Sequence, residues 1–318
     1  MAVKEIELEN NKIGSAIQYF RETYHISQGK LCKGLCSIAT LSRIEAGERD
    51  VDSLLLDALL ERLGKTPNQF ELILTDFDYV LYQSREDIMK QITGNNFSEA
   101  YRLLDRYDDI VASKGTVHMQ FIVASKALLN ELQGGSVDIT IDLFMKAISY
   151  TVPNFKTNKI SEYYLSNTEL NIIIDMMQRM VSAGRMKGTK EILLQIMDYL
   201  EAHSSMEEYT RLYPKAAIIA GRLYMQELDF SRVLNLCNSG LDKNRGNRKL
   251  DYWGELSLLQ AQATEAMYKT KNGWGQKQKE CLKLYLQAFY LFDFCGEHLQ
   301  AEKIKEHIQE EYKWADIG

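Results

Sequence analysis

The chain has 318 residues, of which 45% are hydrophobic and 26% charged, and its formal net charge is −6. This length is too great for one small domain and predicts a smaller domain attached to a larger one. Only three prolines occur, where average usage gives roughly sixteen. The scarcity of helix breakers predicts an all-α protein. No stretch approaches the ~18 apolar residues of a membrane span and no signal-peptide core is present. We therefore expect a cytoplasmic location and no membrane partner.

The residues that usually carry catalysis or bind metals form no recognisable motif. The five cysteines contain no CxxC pair, and the five histidines are dispersed along the chain. Reduced thiols, no metal and no cofactor are therefore expected. The sequence also lacks GxxxxGK[ST], GxGxxG, HExxH and GxSxG motifs, so we expect no enzymatic activity.

The first sixty residues predict a compact bundle of short helices. Ile13, Ile17 and Phe20 recur at helical spacing and indicate a first helix that ends near Tyr24. Ser27 is a suitable N-cap for a short second helix. The segment 34–36, Gly-Leu-Cys, then forms a turn.

Three further helices are predicted in this bundle. The third helix extends from about Ser37 to Glu45 and ends before Gly47, which suits a left-handed C′ position. Asp52 begins a fourth helix that Gly64 closes. The segment 66–69, Thr-Pro-Asn-Gln, combines an N-cap with proline at the first helical position and predicts a fifth helix.

The charge of this bundle differs from that of the whole chain. Between Lys12 and Arg43 there are five basic residues and one acidic residue. A local basic patch is enough to attract phosphates, because salt screens charges that lie beyond about a Debye length. The net negative charge is therefore compatible with binding to nucleic acid.

The order of residues in the bundle resembles the XRE-type, lambda-repressor-like helix-turn-helix family. The matching positions are Ile13-Gly14, Ile17, Arg21, Ser27-Gln28, Leu31, Leu41-Ser42-Arg43-Ile44-Glu45 and Gly47. The spacing from Leu31 to Glu45 is one residue shorter than in most of that family. This shorter form, with a cysteine in the turn, resembles the PlcR/Rgg branch of peptide-responsive regulators.

The resemblance implies double-stranded DNA as a partner and assigns roles to the second and third helices. Arg43 would contact guanine, Ser42 would supply a further hydrogen bond, and Ile38 or Ala39 would meet a thymine methyl group. Leu41, Ile44 and an Arg21–Glu45 salt bridge would be structural. The whole predicted DNA-binding set, including the phosphate contacts, is Gln28, Lys30, Lys33, Ser37, Ile38, Ala39, Thr40, Ser42 and Arg43.

After the bundle, the chain predicts consecutive amphipathic helices. The expected spans are 84–93, 98–112, 116–133, 137–151, 167–182, 187–202, 207–228, 230–242, 250–270, 276–294 and 297–313. Asn96-Phe97 and Asp229-Phe230 resemble the turns of tetratricopeptide repeats. We therefore predict a helix-turn-helix domain at 1–72 and a tetratricopeptide-like α-solenoid at 73–318, with a concave face.

In PlcR/Rgg-like regulators, the resemblance implies that the concave face binds a short signalling peptide and that the protein is a homodimer. The candidate effector-binding residues are Asn130, Asn171, Tyr224, Asn235, Gln260 and Gln262. The sequence thus favours a transcription regulator that takes part in peptide-pheromone quorum sensing. Two alternatives stay open, namely a protein-interaction adaptor with a vestigial helix-turn-helix and a repressor that needs no ligand.

Overall fold

The computed structural model describes residues 12–65, 76–112, 115–185, 188–203, 207–247, 250–270 and 274–313. Within these ranges every regular element is a helix, which confirms the predicted all-α class. The chain divides into two compact units, Met1–Ala183 and Gly184–Gly318. The predicted boundary between 72 and 73 lies outside the described residues, so the division into two domains at that point stays a prediction.

Within the described residues, the first unit begins with four short helices, and three of them start directly after a capping side chain. These helices are α1 (Lys12–Thr23), α2 (Gln28–Leu31), α3 (Ile38–Glu45) and α4 (Ser53–Arg62). Ser27, Ser37 and Asp52 each accept a hydrogen bond from a backbone N–H in the first turn of the helix that follows, at 3.3, 3.0 and 3.1 Å. Each cap satisfies an N–H group that the helix itself leaves unpaired. The predicted fifth helix at 66–72 lies outside the described residues.

Apolar residues from all four helices form the core of this bundle. Ile17, Leu31, Leu41, Ile44 and Leu59 are each at most 2% exposed. Burying one side chain of this size stabilises the folded state by about 1.5–3 kcal/mol. The predicted inward orientation of Leu41 and Ile44 is therefore confirmed, and the opposite side of α3 is left for contacts with a partner.

The first unit continues with five longer helices. These are α5 (Asp76–Thr93), α6 (Phe97–Val111), α7 (Thr116–Leu132), α8 (Val137–Thr151) and α9 (Asn167–Ser182), with a short 3-10 helix at Thr157–Glu162. α5 begins earlier than the predicted start at 84. Its first turns expose Phe77, Tyr79 and Val80, so the apolar residues there do not form the inward stripe that predicts a helix.

Arg62, at the end of α4, joins the four-helix bundle to α8 and α9. Its guanidinium lies 2.6 Å from Oε1 of Glu169 and donates to the backbone oxygens of Leu31 and Lys33 at 2.8 Å and of Thr151 at 3.1 Å. The Arg62 and Glu169 side chains are 2% and 1% exposed. A buried arginine with this many partners holds the end of α2 and the turn after it against the longer helices.

The turn after α2 also contacts α7 and α8 directly. Gly34 has a φ of +80°, and a Cβ built on it would overlap the backbone oxygen of Thr151. The Thr116 hydroxyl donates to the Gly34 oxygen at 2.8 Å. Glycine is needed here because the conformation is left-handed and the neighbouring backbone leaves no room for a side chain.

Glu61 forms a second link between α4 and α9. It accepts a hydrogen bond from the Thr168 backbone N–H at 3.0 Å. Burial, and then the nearby charge of Asp57, raise the pKa of Glu61 to about 8. The folded state therefore keeps this carboxyl protonated at pH values where the unfolded chain has ionised it.

This pKa predicts a dependence of stability on pH. The protonated Glu61 carboxyl makes its full contribution to the free energy of unfolding below the pKa that it has in the unfolded chain, about 4.3. This contribution is lost as pH rises through the pKa of the folded state, about 8. Comparing wild type with Glu61→Gln by urea unfolding between pH 5 and pH 8.5 tests it. We expect wild type to lose stability relative to the variant as pH rises. A constant difference between the two proteins would contradict the protonated assignment.

The described residues of the second unit form six helices that pack on one another in sequence order. They are α10 (Thr189–Ala202), α11 (Glu207–Gln226), α12 (Phe230–Asn247), α13 (Trp253–Thr270), α14 (Trp274–Phe294) and α15 (His298–Tyr312). α11 also contacts α13, where a Cβ on Gly221 would lie 2.6 Å from Leu259. These paired helices confirm the predicted helical repeat-like arrangement.

α12 extends to Asn247, beyond the predicted end at 242. The added turn is polar, so it lacks the apolar periodicity on which the prediction depended. Asn244 is 3% exposed and donates to the Asp251 backbone oxygen at 2.6 Å. This tertiary contact supports the last turn of the helix.

Candidate DNA-binding surface

The exposed side of α3 presents the residues that were predicted to read bases. Ser37, Ile38, Ala39, Ser42 and Arg43 are exposed, with Ile38 at 56%. Their neighbours at helical spacing are buried core residues, so the side chains of α3 divide cleanly between an inner and an outer face. This surface has the form of a recognition helix, and contact of these residues with bases stays a prediction.

Glu45 anchors the end of α3 to the other short helices. The Arg21 guanidinium donates to both Glu45 oxygens, from Nε at 2.7 Å and from Nη2 at 2.9 Å. The hydrogen bond to Glu45 raises the pKa of Arg21. The predicted Arg21–Glu45 salt bridge is therefore confirmed. Gln28 joins it, because its Nε2 donates to Glu45 at 2.7 Å.

The position of Gln28 gives it a structural role besides the predicted phosphate contact. Its amide nitrogen is held by Glu45, and its side chain is half-buried at the start of α2. An amide also has an oxygen acceptor, but a phosphate requires a donor. The other N–H of the amide is therefore the group that a phosphate contact would use.

The predicted phosphate contacts surround α3. Thr40 is half-buried, and its hydroxyl lies 2.9 Å from that of Ser37, so these two side chains share the capping of the helix. Lys30 and Lys33 are exposed, and Lys30 Nζ lies 5.5 Å from the centre of the Tyr164 ring. Both lysines place a positive charge near the turn after α2, where it can attract phosphates.

Arg49 is a basic residue at this surface that the sequence reasoning missed. It is exposed and follows α3, and its charge lies close enough to Cys36 to oppose the effect of burial on the pKa of that thiol. It was overlooked because it stands outside the basic run from Lys12 to Arg43. The sequence signal that identifies Arg49 is its position just beyond the end of α3.

The predicted effector-binding residues in the first unit make contacts within their own helices and turns. Asn130 donates from Nδ2 to the Thr140 hydroxyl at 2.7 Å and to the Ser136 backbone oxygen at 3.1 Å. Asn171 donates to Asp175, one turn further along α9, at 3.4 Å. Asn130 therefore holds the turn between α7 and α8, and its role in effector binding stays a prediction.

The other four predicted effector-binding residues, Tyr224, Asn235, Gln260 and Gln262, lie in the second unit. Tyr224 is 4% exposed, and its hydroxyl accepts a hydrogen bond from Arg232 at 3.1 Å. Gln260 donates to Asn238 at 2.8 Å, and Asn235 is exposed. The predicted set is thus distributed over the two units, and its role in effector binding stays a prediction.

The contacts of Asn130 lead to a prediction about stability. Asn130→Ala removes the donor to the Thr140 hydroxyl and one of three donors to the Ser136 backbone oxygen, so we expect a loss of about 1 kcal/mol in the free energy of unfolding. The exposed Asn235 provides a matched control, and Asn235→Ala should change stability by less than about 0.5 kcal/mol. Urea unfolding measures both, and equal effects would contradict the structural role.

The described residues contain neither a candidate metal site nor a candidate membrane span. No group of three or more His, Cys, Asp or Glu residues among them could hold a metal ion. No helix within the described ranges combines the length and hydrophobicity that crossing a bilayer requires. The cysteines are free thiols, and burial raises the pKa of Cys36 to about 11 and that of Cys237 to about 12.

Comparison with known proteins identifies the class of the first domain. Residues 17–70 match the helix-turn-helix family. No curated protein sequence matches the chain. The chain therefore carries an XRE-type helix-turn-helix domain at its N-terminus, which is a DNA-binding class, followed by a helical repeat-like domain.

Solved structures share this architecture at low sequence identity. PlcR from Bacillus thuringiensis, in complex with the peptide PapR7 and DNA, has a TM-score of 0.56 and 17% identity, over 92% of this chain and 99% of PlcR. Apo PlcR has a TM-score of 0.56 and 16% identity, over 94% and 99%. ComR from S. thermophilus, with DNA and its signalling peptide ComS, has a TM-score of 0.49 and 18% identity, over 93% and 98%. The chain has the fold of PlcR, and its helix-turn-helix domain supports a transcription regulator.

Proposed function

We propose that the chain is a sequence-specific DNA-binding transcription regulator gated by a short peptide. The observation that carries this proposal is the outer face of α3, where Ser42 and Arg43 are exposed beside a buried Leu41 and Ile44. The Arg43 side chain makes no hydrogen bond or ion pair with any described residue, so its planar guanidinium is free to bind the two acceptors of guanine. Lys30, Lys33 and Arg49 would hold the flanking phosphates.

Peptide gating and dimerisation are the finer parts of the proposal. The solved PlcR complex contains both a peptide and DNA, and the chain shares that fold. A homodimer would place two recognition helices on the half-sites of a palindromic operator. A peptide that binds the repeat helices in only one of two conformations would shift the population of the form that fits both half-sites.

A selected-DNA binding experiment tests the proposal. Full-length protein is incubated with a random duplex library, with and without extract of spent culture medium, and the enriched sequences are measured by fluorescence anisotropy. We expect an enriched motif whose affinity falls steeply with salt and changes with the extract. Enrichment that is indifferent to the extract would favour a repressor without a ligand. No enrichment, with salt-insensitive binding, would favour the adaptor alternative and overturn the proposal.

A further inference from the structure

The second unit contains a cleft that Gln262 lines, whereas the other predicted effector residues do not. Its volume is about 650 Å³, and it lies mainly between α13 and α15, with contributions from α11 and α14. Met225, Leu258, Ala266 and Ile304 form its apolar wall. A volume of this size is typical of sites for small ligands and for the end of a peptide. We propose that this cleft binds an apolar peptide residue together with an adjacent carboxylate, and this proposal rests on the peptide gating inferred above.

The acidic residue that lines the cleft, Glu265, is already paired with side chains of the protein itself. Glu265 is 5% exposed, and its Oε1 lies 2.6 Å from Lys269 Nζ. Its Oε2 accepts from the Tyr285 hydroxyl at 2.6 Å and lies 2.9 Å from His307 Nε2. Lys269 is shared with Glu311, also at 2.6 Å. Because both oxygens of Glu265 are bonded within the protein and Lys269 compensates its charge, Glu265 offers little attraction to a cationic ligand.

The polar side chains that remain available in the cleft are one ammonium group and two amides. The side chains of Lys303, Gln262 and Gln300 line the cleft, are exposed, and make no hydrogen bond or ion pair with the residues that the structure describes. Gln262 is on α13 and Gln300 is on α15, so the two amides come from different sides of the cleft. Each amide offers both a donor and an acceptor, as a peptide backbone requires.

Lys303 sets the charge of the proposed ligand. Lys269 is compensated by two carboxylates, so Lys303 is the lysine of the cleft whose charge has no counter-ion among the described residues. An ammonium at the rim of a partly apolar cleft favours a carboxylate on the ligand. That carboxylate belongs either to the C-terminus of the peptide or to an acidic side chain.

The test uses defined probes and full-length protein labelled with ¹³C at its methionine methyl groups. The probes are N-acetyl-leucyl-leucine, its C-terminal amide, and N-acetyl-leucyl-glutamate with an amidated α-carboxyl group. Loss of a signal in Met225→Leu assigns the Met225 methyl group in the NMR spectrum. We expect the acid to shift this signal saturably and to bind about fivefold more tightly than the amide, as a partly exposed ion pair allows.

Variants of two lysines on α15 complete the design. Lys303→Gln should reduce the preference for the acid to less than about twofold, whereas Lys305→Gln, which changes charge on the same helix outside the cleft, should keep it. If the glutamate probe binds as tightly as the acid, the carboxylate proposal holds and an acidic side chain serves as well as the C-terminus. No shift of the Met225 signal, or equal binding of acid and amide, would overturn it. DNA binding is measured separately, so failure of the regulator proposal would leave this result readable.

Discussion

Replacing Arg62 by methionine is expected to lower the free energy of unfolding by about 3–5 kcal/mol, because the change leaves a buried carboxylate without its partner. Glu169 is 1% exposed, and Arg62 is the cation that lies against it. Methionine fills much of the same volume, so the loss reports mainly on charge and hydrogen bonding. Urea unfolding of the full chain measures the effect.

Two further variants separate the buried charge from a general loss of arginine. In the double variant Arg62→Met, Glu169→Gln the unpaired charge is removed, and part of the stability should return. The amide oxygen of the introduced glutamine can still accept the hydrogen bond that Glu169 receives from the Ser166 backbone N–H at the start of α9. Arg102→Met breaks an exposed pair with Glu99 and should have little effect. A single variant as stable as wild type would contradict the assigned ion pair.

The same arginine connects stability to DNA binding. Arg62 holds the backbone oxygens of Leu31 and Lys33 at both sides of the α2 end, and this segment sets the position of α3. Weakening it should therefore lower DNA affinity even under conditions where the chain stays folded. Measuring anisotropy well below the unfolding midpoint distinguishes this effect from simple unfolding.

Arg43→Ala is expected to weaken binding to the selected DNA motif by about 10- to 100-fold, the discrimination that one good bidentate base contact supplies. The side chain is exposed and has no partner among the described residues, so its removal should leave the stability of the protein unchanged. Fluorescence anisotropy on the enriched duplex and on a scrambled duplex of equal length measures the affinity and the specificity.

Controls for this variant separate charge from geometry. Arg106→Ala removes the same charge from an exposed position on α6 and should leave the affinity nearly unchanged. Arg43→Lys keeps the charge but loses the planar fork, so it should retain non-specific binding and lose much of the specificity. If Arg43→Ala binds the motif as tightly as wild type, α3 is not the recognition helix as assigned.

Local rules predicted most of the helices because the signals for a helix lie within a few residues of its ends. Ser27, Ser37 and Asp52 cap the helices that they precede, and α7, α8 and α9 begin at their predicted residues. The predictions failed where the sequence carries no apolar period. The exposed first turns of α5 and the polar last turn of α12 are the clearest instances.

The roles of polar side chains were harder to predict, because partners distant in sequence determine them. Asn130 was selected as a candidate effector residue for its position within a helix, and the structure places it against Thr140 and the turn beside it. Gln28 was assigned to phosphate, and its amide nitrogen also donates to Glu45. An amide in a helix has the same local pattern whether it binds a ligand or a neighbouring turn.

The sequence by itself determined the all-α class, the caps of the short helices and the division of α3 into a buried and an exposed face. Each of these depends on residues within one or two turns of each other, and helical periodicity makes them readable from the order of residues. Only the tertiary structure decided that Arg62 meets Glu169, 107 positions further along the chain, and that Lys303, Gln262 and Gln300 line one cleft. Contacts between distant segments depend on how whole helices pack, and no local pattern of residues encodes that packing.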